Sequence, residues 1–195
     1  MTEPVDLEPA ARRMARLIEA VPGDALDHPT PCAQYRVGDL LDHVGGFALA
    51  FRAAAVKTPL EGAPSGDAAN LGDDWRARIP RDLVALAEAW KDPDAWTGMT
   101  AAGGVDLPGE VAGVVALDEL VIHGWDLAKA IAQPADYDGP GLEAVLGMVE
   151  HFRGTGAEGL FGDEVPVPAD APLFDRILGI AGRDPSWQPH EEDLR

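Results

Sequence analysis

Between Val111 and Ile131 lies the most apolar stretch of the chain, VAGVVALDELVIHGWDLAKAI. Its apolar residues Val111, Val114, Val115, Leu117, Leu120, Val121, Ile122, Leu127 and Ile131 spread over more than one helical face, so this helix is expected at the centre of the fold. Positions 112, 115, 116, 119, 123, 126, 127 and 130 trace one face, on which small apolar residues surround Glu119, His123 and Asp126. A carboxylate enclosed in this way costs several kcal/mol unless a cation or a hydrogen-bond partner meets it. The central helix therefore constrains the fold and the chemistry together.

The remaining pattern is also helical. Leu7, Ala11, Met14, Leu17, Ile18 and Val21 recur at steps of three and four, which predicts a helix from Pro9 to Ala20, stopped by Pro22-Gly23. Leu40, Leu41, Val44, Phe47, Ala48 and Phe51 predict a second from Val37 to Val56. Trp75, Ile79, Leu83, Leu86 and Trp90 mark a third, whose start is placed near Pro80 because proline suits the first turn of a helix and disrupts its interior. Leu142, Val145, Leu146, Val149 and Phe152 mark a shorter helix, and APLFDRILGIAG reads as a last amphipathic turn or two. TPLEGAPSGDAANLGDD reads as an exposed crossover or lid, DPDAWTGMTAAGGVDLPGE as a loop, and EVPVPA as extended chain, its prolines arguing against a strand. The expected fold is all-α: a four-helix bundle with an additional C-terminal helix, in a single domain over residues 1–195.

Composition excludes several classes of partner. The chain has 34 acidic and 15 basic residues, a formal net charge of -19 that repels nucleic-acid phosphates and anionic lipid. Nowhere do about 18 apolar residues run together, and the acidic start of the chain does not read as a signal peptide. Cys32 is the one cysteine, so no internal disulfide is available. A cytoplasmic protein that binds neither nucleic acid nor membrane is the expectation.

Glu119 and His123, four apart on one helix, can reach the same cation. His43, in LLDHVGGFALA on the second helix, borders an apolar face as well. Two histidines and a carboxylate on facing helices make a ligand set that leaves open positions on a divalent ion, as catalytic zinc sites do. Zinc is the first candidate, and nickel, iron and manganese suit the same donors. The competing account is a buried Glu119–His43 ion pair with His123 donating to a backbone carbonyl. Asp126 reads equally as an outward helix charge or as a carboxylate orienting His123. His151 stands in reserve as a ligand, and His28 and His190 read as solvated. Cys32, with no basic neighbour in sequence, reads as a small apolar side chain, and Trp75, Trp90, Trp96 and Trp125 as core or interface.

The segments LLDHVGG and ELVIHGWDL, the approach PTPCAQYRVGDLLDH and the closing GRDPSW resemble the DinB/YfiT-like superfamily, in particular the N-terminal metal-binding domain of mycothiol-dependent maleylpyruvate isomerase and its actinobacterial relatives. The resemblance runs through nearly the whole chain and implies His43, Glu119 and His123 as metal ligands. It also implies a small-molecule thiol or thiol-conjugated substrate, with mycothiol as a candidate cofactor, and thiol transfer or isomerisation as the reaction. The further C-terminal domain with which the isomerase helps to hold its thiol is expected to be missing here. The alternative function is a non-catalytic metal-binding or structural bundle acting through a protein partner. A homodimer is left open.

Overall fold

The computed structural model describes residues 4–62, 66–139, 141–153 and 161–189. Six helices carry the fold: α1 (Glu8–Ala20), α2 (Val37–Ala55), α3 (Trp75–Ala89), α4 (Gly109–Ala130), α5 (Gly141–Phe152) and α6 (Leu173–Ile180). The first four form a closed ring in which α1 and α2 each pack against both α3 and α4. Each helix turns inward the stripe its periodicity marked. Met14 and Ile18 of α1, Leu40, Leu41 and Phe47 of α2, Ile79, Leu83 and Leu86 of α3, and Leu120 and Leu127 of α4 share one core, all at most 1% exposed. α4 buries nearly its whole circumference, as a central helix must, whereas α5 packs on the outside of α4 and α6 on α5. No helix among the described residues is long and apolar enough to cross a membrane.

Two expectations need correction. α3 begins at Trp75 and carries Pro80 inside it. The proline removes one backbone hydrogen bond, but Trp75 and Ile79 are buried on the same face as Leu83 and Leu86. The first turn is also tied down by Arg78, whose guanidinium donates to Asp74 Oδ1 and, at 2.7 Å, to the carbonyl of Leu71. Burial of two large side chains outweighs the lost bond.

The stretch before α4 is not all loop. Met99–Ala102 (β1) and Val105–Pro108 (β2) pair antiparallel around Gly103-Gly104, both at positive φ, the backbone that a tight two-residue hairpin turn requires. Strands of four residues carry too little alternation to stand out. Thr100 pins the hairpin to the bundle by donating to the Ala54 carbonyl at 2.7 Å, and β2 then runs straight into α4.

Of the connection between α2 and α3, residues 63–65 lie outside the described residues. The part that follows is held rather than free: Asp67 N donates to Asp42 Oδ2 at 3.2 Å and Ala68 N to Asp39 Oδ1 at 2.9 Å.

Candidate metal centre

The apolar stripe of α2 that seats Leu40, Val44 and Phe47 in the core carries His43 along its edge toward α4. Helix geometry sets Glu119 and His123 one turn apart on α4, facing it. His43 Nε2 lies 3.2 Å from Glu119 Oε2, and His123 Nε2 lies 3.3 Å from the same oxygen. The two imidazoles meet edge to face with centroids 4.9 Å apart. One ligand atom from each of the three residues falls within 4.8 Å of the other two. The side chains are 13% (His43), 24% (Glu119) and 11% (His123) exposed, so the cluster is shielded yet reachable from solvent.

Behind the cluster, His123 Nδ1 is 3.0 Å from Asp126 Oδ2, and Asp126 is wholly buried. Asp126 is thus no outward helix charge. It receives Arg183 as well, through Nη2 at 3.1 Å and Nε at 3.4 Å, and Arg183 also donates to the Ala181 carbonyl just past α6. With Nδ1 engaged by Asp126, the free edge of His123 is Nε2, the atom that faces Glu119 and His43. The ring does not use a backbone carbonyl. His43 Nδ1, by contrast, is buried without a hydrogen-bond partner, and its ring is oriented by packing between Tyr35 and Phe47.

These contacts set the charges. Burial alone would raise the Glu119 carboxyl, but the hydrogen bonds from His123 and His43 together outweigh it and hold the group well below the usual carboxylate range. Burial would likewise depress His123, and the bonds to Asp126 and Glu119 reverse that and raise it. Next to Glu119, Asp118 is buried with Oδ1 unpartnered, and burial, followed by the Glu119 charge, pushes its carboxyl up to about 8.

Other candidates fall outside the cluster. His151 is exposed on α5 and does not join the three. His28 is half-buried rather than solvated, its Nδ1 enclosed without a partner, while His190 lies outside the described residues. Cys32 is buried as a free thiol, and Trp75, Trp90 and Trp125 are buried. Sequence reasoning missed three residues: Tyr35, whose ring stands 5.2 Å from that of His43, Arg183 and Asp118. Tyr35 and Arg183 occur in the quoted segments PTPCAQYRVGDLLDH and GRDPSW, but neither obeys a helical period that would have pointed to the site. Asp118 stood in plain view beside Glu119.

The sequence model of the mycothiol maleylpyruvate isomerase N-terminal domain matches residues 7–128, the span that holds His43, Glu119, His123 and Asp126. An uncharacterised protein of Mycobacterium tuberculosis, present in two strains, is 32% identical over 179 residues, covering 87% of this chain and 91% of its own length. No solved structure matches the chain. On the matched span and on that relative, the chain belongs to the mycothiol maleylpyruvate isomerase N-terminal domain family of the DinB-like superfamily.

Proposed function

We propose that the chain is a single-domain, cytoplasmic, metal-dependent thiol-handling protein in which His43, Glu119 and His123 hold one divalent ion. The observation that carries the reading is the convergence of two imidazoles and a carboxylate from two helices, with ligand atoms within 4.8 Å of one another. The donor set fits such an ion: two neutral imidazole nitrogens and one carboxylate oxygen suit zinc, and nickel, iron or manganese next. When bound, the ion supplies Lewis acidity that lowers the pKa of a thiol or water beside it.

The chain's own residues do the rest. Glu119 offers an ionised oxygen between the two histidines, so cation binding replaces two hydrogen bonds rather than exposing a bare charge. Asp126 holds His123 with Nε2 facing inward, and Arg183 keeps Asp126 compensated. Packing of Phe47 and Tyr35 orients His43. Three protein ligands leave room for an exchangeable fourth, which favours chemistry over a purely structural ion. Membership of a family described by a mycothiol-dependent isomerase supports a thiol as the group that enters there, with mycothiol the first candidate and thiol transfer or isomerisation the reaction.

Metal analysis of the purified protein tests the first half, with about one divalent ion per chain expected. Mycothiol added to cobalt-substituted protein tests the second: a sulfur-to-metal charge-transfer band is expected. Metal without that band would point to a bundle that binds the ion for a protein partner, and protein free of metal after growth with ample zinc, nickel, iron and manganese would sink the reading.

A further inference from the structure

Two flanks of the cluster are closed by groups already described, and one further ring meets both histidines. Phe47, 1% exposed, sets its ring edge-on to His43 from the core side with centroids 5.7 Å apart. Asp126 and Arg183 fill the space behind His123. Tyr35 is half-buried, with its ring centroid 5.2 Å from that of His43 and 6.3 Å from that of His123, so a partly exposed ring packs against both histidines.

The ring is held through its own backbone and by Gly66. Tyr35 lies on the short segment before α2, where Thr30 Oγ1 donates to its carbonyl at 2.7 Å and its own N–H donates to the Cys32 carbonyl at 3.0 Å. Gly66 packs directly against the ring. A Cβ at position 66 would fall 2.6 Å from Tyr35 Cζ and closer still to Cε1. Gly66 has no left-handed φ, so the ring rather than the backbone conformation excludes a side chain there. Nor can the backbone at Gly66 retreat freely, because the next two residues are tied to α2 through Asp42 and Asp39, and Ala68 Cβ would lie 2.9 Å from a Cβ at Gly38.

We propose that Tyr35 is the specificity-determining wall of the open coordination position: its ring face meets the group that enters beside the ion and limits the width of that group, at a depth set by Gly66. The proposal rests on the reading of His43, Glu119 and His123 as metal ligands. The occupant it fits is an uncharged thiol. Glu119 stands within the cluster, and Asp39 and Asp42 hold the residues that follow Gly66, so the carboxylates around the ring disfavour an anionic group.

The test uses the full chain loaded with cobalt and two neutral thiols, slim 2-mercaptoethanol and bulky 1-thioglucose, read by the charge-transfer band. Cobalt affinity is expected to stay within about two-fold in Tyr35→Phe, which keeps the ring that packs on His43, and the thiol bands of all variants are compared at saturating cobalt. Gly66→Ala drives the ring inward and is expected to weaken 1-thioglucose about five-fold or more while leaving 2-mercaptoethanol nearly unchanged. Adding Tyr35→Ala to Gly66→Ala restores the bulky thiol, and Tyr35→Phe, which keeps the ring, keeps the wild-type preference. An equal loss from Gly66→Ala with and without the Tyr35 ring, thiol affinities indifferent to both positions, or no thiol band in any variant overturns the wall while leaving the metal site standing. Failure of the wild type to bind cobalt removes the metal reading, and the wall with it.

Discussion

Glu119 stays ionised at a shielded position because two imidazoles face one of its oxygens, and that single fact sets how the residues around it respond to change. Removing a ligand, as in His43→Ala or His123→Ala, is expected to abolish stoichiometric metal binding. Asp126→Asn leaves the three donors in place but loses the carboxylate that orients His123, so calorimetric titration should show binding weakened by about 10- to 100-fold. If all three variants behave alike, Asp126 is itself a ligand. The raised His123 must give up a proton before it can ligate, so metal affinity should climb with pH. Asp118 makes a prediction of the opposite kind for the metal-free protein. Its carboxyl is pushed up to about 8 by burial, so the folded chain keeps a proton that the unfolded chain has released, and stability falls as pH rises between the two values. Asp118→Asn removes that cost. Urea unfolding should show the variant more stable than wild type by up to about 4 kcal/mol near neutral pH, with the gain vanishing near pH 4. A gain of equal size at both pH values would place its origin in packing.

At the scale of elements, α3 shows how packing overrides a local rule. A helix that began at Pro80 would leave Ile79 in the preceding loop, where truncation costs little; in the structure Ile79 is fully buried within the helix. Ile79→Ala is therefore expected to destabilise by about 2–5 kcal/mol, measured as a loss in denaturant midpoint at unchanged slope. A change below about 0.5 kcal/mol would restore the shorter helix. The hairpin of β1 and β2 teaches the same lesson from the other side. It is held by its Gly103-Gly104 turn and by the bond from Thr100 to the end of α2, and neither depends on alternating hydrophobicity.

For the whole molecule, the joint that matters is between the bundle and the segment that follows it. Arg183, just past α6, reaches back to Asp126 on α4, so the last described part of the chain is fastened to the back of the candidate metal centre. The pair is almost completely withdrawn from water, with Arg183 only 9% exposed. Arg183→Met leaves the buried Asp126 with His123 as its remaining partner, and is expected to cost up to about 3 kcal/mol of stability. The double variant Arg183→Met with Asp126→Leu should recover part of that loss in thermal unfolding, because it removes both charges together while leaving His123 Nδ1 without its partner. Recovery that fails to come would mean that the arginine is held in place for packing rather than for charge.

The helices were legible in the sequence because a 3.6-residue period is a local property, carried by which residues recur three and four apart. The same locality put Glu119 and His123 on one face of α4 and marked His43 as a polar residue beside the α2 stripe. What no period can express is how two helices are rotated against each other, and that rotation alone brings His43 Nε2 to 3.2 Å from Glu119. Asp126 and Arg183 are 57 positions apart, and Tyr35 and Gly66 sit in connections with no repeat at all. Their meeting is decided by the closing of the bundle, in which most buried polar atoms are paired with whatever the packed core brings near them. The candidate trio of His43, Glu119 and His123 was thus legible in the sequence, whereas the contacts of Asp126, Arg183 and Tyr35 with it are decided by the tertiary structure.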